Sequence, residues 1–517
     1  MTLSINSALK WNKEKLQAIL AILTIGAVSL VVFYISLHGM SSFDGAMNLQ
    51  VPVSLSEYGK YATSYDGFTE FDHSIQTGPT VLVPIALLFL AFGKSFFMAN
   101  FVMLVYATGL LIVSYLLAKR FVGPWFALLA PIMIGLVPKF FTISISHYGE
   151  VPGLFFVLLA VLLFDRVSGN KKKLIIFLSG LALGFALLTK TVFLIALPSF
   201  LLIIVLDLLR AKRTSIVSYV LFFVAIPLPY ALFEFFKLVK LGWAGYQSWW
   251  QLELGEIFQQ AGVSQGFSDT AGIFNKFSNH LSLLAGYLRI PSWLIILLLL
   301  AMISVAAIEL TRLFRKNDRN VKSLSLLLLS SITTSYFLWW LLITPTSRAW
   351  DRRIIAGNLL LALLVVVALG YFYEIFIRSS RAKKILSLVP FVVTLSSIIA
   401  TEFFLVPLVP KQVAPSLQRD SIYRIAGEIS SLPPDATVYG IGWWQAPRLS
   451  FLSGRTFTNL AAHVPPAGVL HEAYLAIDRE AYLLGRDTID AWLERTDYEL
   501  IYSGDDNFLY RLSIFKG

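Results

Sequence analysis

The sequence predicts an all-α polytopic membrane domain, of about 11 spans plus a re-entrant or interfacial helix, followed by a small extracytoplasmic α/β domain. Three observations carry this. Of 517 residues, 57% are apolar and 14% are charged, with a mean hydropathy of +0.72; a soluble chain carries about 25% charged residues. Apolar runs of spanning length recur through residues 1–406. Past about Pro407 the composition turns to that of a soluble domain, 407–517.

A spanning helix needs roughly 17–25 mostly apolar residues. Such segments begin near Leu16, Phe97, Trp125, Pro152, Leu174, Val192, Ile216, Trp293, Leu324, Ile354 and Ile385. The first, about Leu16 to Leu37, is too long for a signal-peptide core and has no small-residue cleavage site after it, so it reads as a retained helix. Basic clusters set the orientation. Lys10, Lys13 and Lys15 precede the first span, and Lys119 and Arg120 follow the second. Arg166 with Lys171 to Lys173 follow the fourth, and Arg210, Lys212 and Arg213 the sixth. Arg312 to Lys322 follow the eighth and Arg378 to Lys384 the tenth. All fall on one side when the N-terminus is cytoplasmic, and eleven spans then put the C-terminal domain outside. Pro79 to Phe92 is apolar but about 14 residues long, short for a span. Crossing there would turn every later cluster outward, so this segment is expected to stay on the outer side.

The net charge of +11 sits in these loop clusters and implies no nucleic-acid partner. With no Cys, disulfides and thiolate metal sites are excluded. No P-loop, no GxGxxG after a strand and no HExxH is present. The spans hold few acids, unlike those of ion-coupled transporters. Polar residues gather instead in the first outer loop (39–95), a short loop around His147, a third loop (237–291) and the tail. In the tail, Ile422–Leu432 and Thr488–Arg495 have helical spacing, while Ala436–Ile441, Leu500–Ser503 and Leu509–Phe515 read as strands. Gly180 and Gly184 form a GxxxG pair, read as a close helix contact.

Chemistry is therefore sought at the outer face. Asp44 follows the first span, where a carboxylate either accepts a proton from an attacking hydroxyl or caps a helix. Asp66, Glu70 and Asp72 offer oxygen ligands, but at a spacing that fits a solvated loop better than a calcium loop. Glu150 opens a helix beside His147 and Tyr148, a place that favours negative charge in any protein. Lys190 lies between two apolar runs, where it snorkels to lipid or meets an anionic substrate. Arg348, Arg352 and Arg353 lie in an outer loop against the usual charge bias, and guanidinium groups suit phosphate. Trp443 and Trp444 read as interfacial anchors, core residues or a sugar-stacking platform.

These residues carry a resemblance. Phe43-Asp44-Gly45-Ala46 through Gly59-Lys60-Tyr61 resembles the first luminal loop of the C-type (GT-C) multi-spanning glycosyltransferases, in the protein O-mannosyltransferase and aminoarabinose-transferase group. His73, Thr77-Gly78-Pro79-Thr80 and the stretch ending Ala91-Phe92-Gly93 are similar to that family's His-Pro-Pro-Leu segment. Tyr115 to Gly123 is similar to its Tyr-Leu-x-x-Arg-Arg-x-x-Gly. His147 to Pro152 falls where the family has its second-loop Asp, and Gly180 to Lys190 matches its Gly-rich helix ending in Thr-Lys. The resemblance covers residues 15–210. Three departures stand out: the acidic pair is reduced to Asp44 beside Gly45, the second-loop Asp is Glu150, and Gly78 replaces one proline.

The resemblance implies a GT-C-like fold and an inverting transfer from a polyprenyl-phosphate-linked sugar to a hydroxyl of a lipid, glycan or protein. It implies Asp44 as general base and Glu150 as its assistant, orienting the acceptor or holding a divalent cation. It implies Arg352, Arg353, Lys190 and His73 as contacts to the donor phosphate; His147, Tyr148, Trp443 and Trp444 are further candidates, for the acceptor or another role. The expected place is the plasma (inner) membrane. An oligosaccharyltransferase or glycan polymerase differs only in donor length. A flippase of lipid-linked sugars would need repeat symmetry, which the sequence lacks; a non-catalytic scaffold would tolerate loss of Asp44, Glu150 and Arg352.

Overall fold

The computed structural model describes residues 2–165, 172–211, 215–260, 272–315, 321–378, 396, 420–440, 446–460, 468–504 and 507–515. Helix α1 (Thr2–His38) opens the chain. The first loop then holds α2 (Phe43–Asn48), α3 (Gln50–Tyr58), a small hairpin of β1 (Ala62–Thr63) and β2 (Thr69–Glu70), and α4 (Pro79–Phe92). After α5 (Phe96–Val122) come α6 (Pro124–Ala127), α7 (Leu129–Leu136), α8 (Phe140–Ile143), α9 (Glu150–Asp165) and α10 (Lys172–Thr189). Then follow α11 (Leu197–Leu206), α12 (Ile216–Ala225), α13 (Pro227–Gln260), α14 (Ile273–Leu288), α15 (Ser292–Arg315), α16 (Val321–Leu338) and α17 (Asp351–Arg378).

Among the described residues, eight stretches are long and apolar enough to cross a membrane: 14–38, 96–122, 172–189, 191–209, 216–258, 292–311, 324–343 and 351–374. They fall, in order, on eight of the expected spans. The segments expected near Trp125 and Pro152 are shorter apolar helices, Pro124–Leu136 and Glu150–Phe164. Prolines 124 and 131 and a break at Leu128 limit the first of these, which at 1.5 Å per residue is about 20 Å long against a core of about 30 Å. The segment expected near Ile385 lies outside the described residues.

The segment expected as a third outer loop, 237–291, is more helical than expected in its described residues. In α13, Gly242 takes φ 67° and ψ 172°, a backbone conformation open essentially to glycine alone. Lys237 Nζ lies 3.1 Å from the Trp249 ring centroid, and the Tyr246 hydroxyl donates to Glu234 Oε2 at 3.0 Å. Residues twelve apart would be about 18 Å apart along a straight helix, so the chain turns back at Gly242.

The described residues of Met1–Phe33, Leu104–Ser144 and Gly149–Ala414 form one compact unit. Helix α17 is buried along nearly its whole apolar length, while α1 exposes most of its own. Trp340, Tyr336, Phe140, Phe200 and Phe222 are the bulkiest fully buried side chains there. Helix α10 meets its neighbours backbone to backbone: a methyl group on Gly180 would run into the Phe222 carbonyl, and one on Gly184 into that of Ile226.

The second unit joins Tyr34–Met103 and Ile145–Tyr148 to the described residues of Pro415–Gly517. Its sheet contains β3 (Thr437–Gly440), β4 (Phe457–Asn459), β5 (Gly468–Asp478), β6 (Thr496–Gly504) and β7 (Asn507–Phe515), in the order β4-β3-β5-β7-β6. β3 runs parallel to β4 and β5, and β7 pairs antiparallel with β5 and β6. Helices Asp420–Ser431, Ala446–Ser453 and Arg479–Glu494 accompany it. The tail is thus α/β, as the sequence predicts. Its core is built from Leu475, Ile477, Ile489, Trp492, Leu512 and Phe515. The first loop is bound into the same unit. The Asp66 amide donates to the Phe457 carbonyl and the Asn459 amide to Asp66 Oδ1, both at 2.9 Å.

Candidate functional site

Each unit gathers one set of the residues singled out by sequence. In the first, Glu150 begins α9 with its side chain only 2% exposed. Its Oε1 is ion-paired with Lys190, the residue between α10 and the turn at Thr191–Ala196. Its Oε2 is buried without a hydrogen bond among the described residues. Burial pushes the Lys190 ammonium below its ordinary range. Arg352 and Arg353 push it the same way, and Glu150 opposes them. Lys190, Arg352, Arg353 and Glu150 thus share one electrostatic neighbourhood.

Local structure explains how the arginines are held. Arg348 ends a short 3-10 turn, and α17 starts at Asp351. Asp351 is ion-paired with Lys139 and accepts from the Arg352 amide at 2.7 Å. Arg352 and Arg353 place their guanidinium carbons 4.6 and 5.4 Å from the Trp350 ring centroid. The buried Tyr336 hydroxyl donates to the Arg353 carbonyl at 3.0 Å. On the other flank the Tyr287 hydroxyl donates to the Ala349 carbonyl at 2.7 Å.

In the second unit, Asp44 is half-buried in the first turn of α2. Ser42 caps this helix, accepting from the Gly45 amide at 3.2 Å. Tyr148 donates in turn to the Ser42 hydroxyl. Gly45 is required by crowding: a methyl group there would collide with the Ser146 carbonyl and the Ser41 hydroxyl. Asn48 Nδ2 donates to the His147 carbonyl at 2.8 Å and to Thr77 Oγ1 at 3.0 Å, and Thr77 Oγ1 itself donates to that carbonyl at 3.0 Å. The His147 ring is wholly buried and shares a 2.9 Å hydrogen bond with Ser41 Oγ. Burial pushes its pKa down to about 3, opposed by the Ala99 carbonyl. At neutral pH His147 is therefore an uncharged pin for the Asp44 helix.

The remaining candidates fall as follows. His73 is half-buried in a turn whose anchor is Asp72, which accepts from the Ser74 amide, the Ser74 hydroxyl and the Thr63 hydroxyl. Glu70 is paired with Lys60 at 3.8 Å. With Asp66 bonded to the Asn459 amide, these loop acids hold the loop together. Among the described residues no three His, Asp or Glu side chains converge as a metal cage. Trp443 and Trp444 lie outside the described residues. Sequence reading missed Tyr336 and Tyr287, which look like ordinary apolar-segment tyrosines. It also missed Arg448, whose guanidinium carbon lies 4.4 Å from the Phe43 ring centroid, next to Asp44.

Residues 76–231 match the family model described as dolichyl-phosphate-mannose-protein mannosyltransferase. No curated protein sequence matches the chain. Among solved structures it is similar to ArnT of Cupriavidus metallidurans bound to undecaprenyl phosphate, at 13% identity over 95% of this chain and 97% of that one, with a TM-score of 0.58. It is similar to the Archaeoglobus fulgidus oligosaccharyltransferase in its apo form, at 13% identity over 95% and 74%, with a TM-score of 0.56. The same enzyme in complex with Zn and sulfate gives 14% identity over 94% and 72%, and a TM-score of 0.56. At such identities the likeness is one of fold. Taken with the apolar helices, it gives this chain the multi-spanning membrane fold of the C-type glycosyltransferases, and the family match itself covers residues 76–231.

Proposed function

We propose that this protein transfers a sugar from a polyprenyl-phosphate carrier to an acceptor hydroxyl at the outer face of the plasma membrane, with inversion at the anomeric carbon. One observation carries the reading: the buried Glu150–Lys190 ion pair shares an electrostatic neighbourhood with Arg352 and Arg353, where cations outnumber the carboxylates Glu150 and Asp351. An excess of desolvated cations is a strong attractor for an anion. In a membrane protein a lipid-linked phosphate is the anion that arrives with an apolar tail. The ArnT structure was solved with such a lipid, undecaprenyl phosphate.

The chemistry follows from that assignment. The acceptor oxygen attacks the anomeric carbon as the carbon–oxygen bond to phosphate breaks. The bonding pair leaves on the phosphate, whose added negative charge Lys190, Arg352 and Arg353 stabilise. The acceptor proton passes to Asp44. Glu150 holds Lys190 charged, and Arg348 extends the cationic field. For a divalent cation, the buried Glu150 Oε2 is a candidate oxygen ligand among the described residues; no step above requires one.

The test is transfer by the full chain in lipid nanodiscs. The donors are undecaprenyl-phosphate-linked mannose, glucose, arabinose and aminoarabinose, and membrane extract supplies acceptors; released undecaprenyl phosphate is measured. One donor is expected to turn over. Asp44→Asn is expected to lower turnover at least 100-fold, in the range of a lost general base, with thermal unfolding unchanged. Full turnover in that variant would refute the base assignment.

A further inference from the structure

Among the described residues, the C-terminal part of the chain reaches the Asp44 helix through a stack of Arg448 on Phe43. Helix Ala446–Ser453 is seated among the helices of the first loop. Gln50 Nε2 donates to the Pro447 carbonyl at 3.4 Å. Phe451 packs on Phe96 and Phe89, with ring centroids 4.5 and 6.0 Å apart. Lys94 Nζ lies 5.8 Å from the same Phe451 ring and 3.7 Å from Glu57. These contacts fix the helix, and from it the half-buried Arg448 lays its guanidinium over Phe43.

Phe43 is the first residue of α2 and Asp44 the second. A six-residue helix has too little internal hydrogen bonding to hold itself, so its orientation depends on what grips it. On one side the grip is polar: Ser42, Tyr148 and the His147 carbonyl. At Phe43 it is Arg448. A guanidinium on an aromatic face is held by the ring quadrupole and by stacking, and a partly desolvated pair is stronger than an exposed one. A lysine there would keep the charge and lose the planar stack.

We propose that Arg448 is a positioning residue. Acting through Phe43, it holds α2 so that the Asp44 carboxylate keeps one orientation, and the C-terminal domain thereby takes part in the reaction. The catalytic part of this inference rests on Asp44 being the base; the coupling of Arg448 to α2 does not.

The experiment uses the full chain in nanodiscs with Arg448→Met, Arg448→Lys, Phe43→Leu and the Phe43→Leu/Arg448→Met double variant. Hydrogen exchange is followed in peptides covering residues 42–49 and 468–515. Arg448→Met is expected to speed exchange in 42–49 about tenfold and leave 468–515 at the wild-type rate. With the donor that turns over, kcat is expected to fall about tenfold, equivalent to about 1.4 kcal/mol, with donor KM within about twofold of wild type. Phe43→Leu should match it, the double variant should do no worse than either single one, and Arg448→Lys should lie between. Wild-type exchange in 42–49 for both Arg448→Met and Arg448→Lys overturns the proposal. So do faster exchange throughout 468–515 or effects that multiply in the double variant. If Asp44→Asn retains full turnover, the base assignment fails while the exchange result still decides the coupling.

Discussion

At Lys190 a buried ammonium is balanced between one carboxylate and two guanidinium groups, with burial pushing its pKa down. A lysine held below its ordinary range is charged only at pH values under its own shifted pKa. Binding of a lipid phosphate is therefore expected to be strongest on the acid side of that pKa and to weaken as pH rises through it. Glu150→Gln removes the influence that opposes the downward shift. In that variant the weakening of undecaprenyl phosphate binding should set in at lower pH than in wild type. A fluorescence titration with the lipid alone across pH 6–11 checks this, and coincident curves would separate Glu150 from the cluster. Lys190 and Glu150 were both legible as sequence candidates, but each had a mundane alternative. Only their ion pair, forty residues apart in sequence, makes them one unit.

Elements show where sequence reading held and where it stopped. The long apolar helices were legible because twenty apolar residues have few other fates. Where the reading went astray, a local backbone feature intervened. Gly242 folds α13 back, turning an expected loop into a helical elbow. In β5, Glu472 has φ 47° and the pairing register shifts between Val469 and Ala473, so its alternation is broken and no strand was read there. Helix Ala446–Ser453 has only eight residues and one charge, Arg448, too short a stretch for a periodic signal. The Gly180–Gly184 pair was legible, and the structure gives it a physical basis in the carbonyls of Phe222 and Ile226. Gly180→Ala is expected to destabilise the protein by about 1–3 kcal/mol, as overpacking does, with a lower thermal midpoint in detergent. An unchanged midpoint would mean that α10 and α12 can move apart freely.

For the whole molecule, the division at about residue 407 marks a change of composition that the compact units do not follow. The tail shares its unit with the first loop. The ties are hydrogen bonds from Asp66 to β4, packing of Phe451 on Phe89 and Phe96, and the Arg448–Phe43 stack. Such long-range pairing leaves no trace in local sequence pattern, which is why the loop and tail read as separate features. It has a consequence for truncation. A freely folding tail could be removed with the first loop left intact. A tail that packs on the loop cannot, because its loss would uncover Phe89, Phe96 and Phe43 and leave α2 without Arg448. Deletion of residues 415–517 is therefore expected to expose the loop to trypsin at Lys94. Full-length protein in the same nanodiscs should resist, since Lys94 is held by Glu57 and the Phe451 ring. Cleavage is read by mass spectrometry of the released loop peptide, alongside a control site outside the loop and tail expected to be cut at equal rates in both proteins. Equal loop cleavage in the two forms would show that the first loop folds without the tail, and that the Asp44 helix needs no support from it.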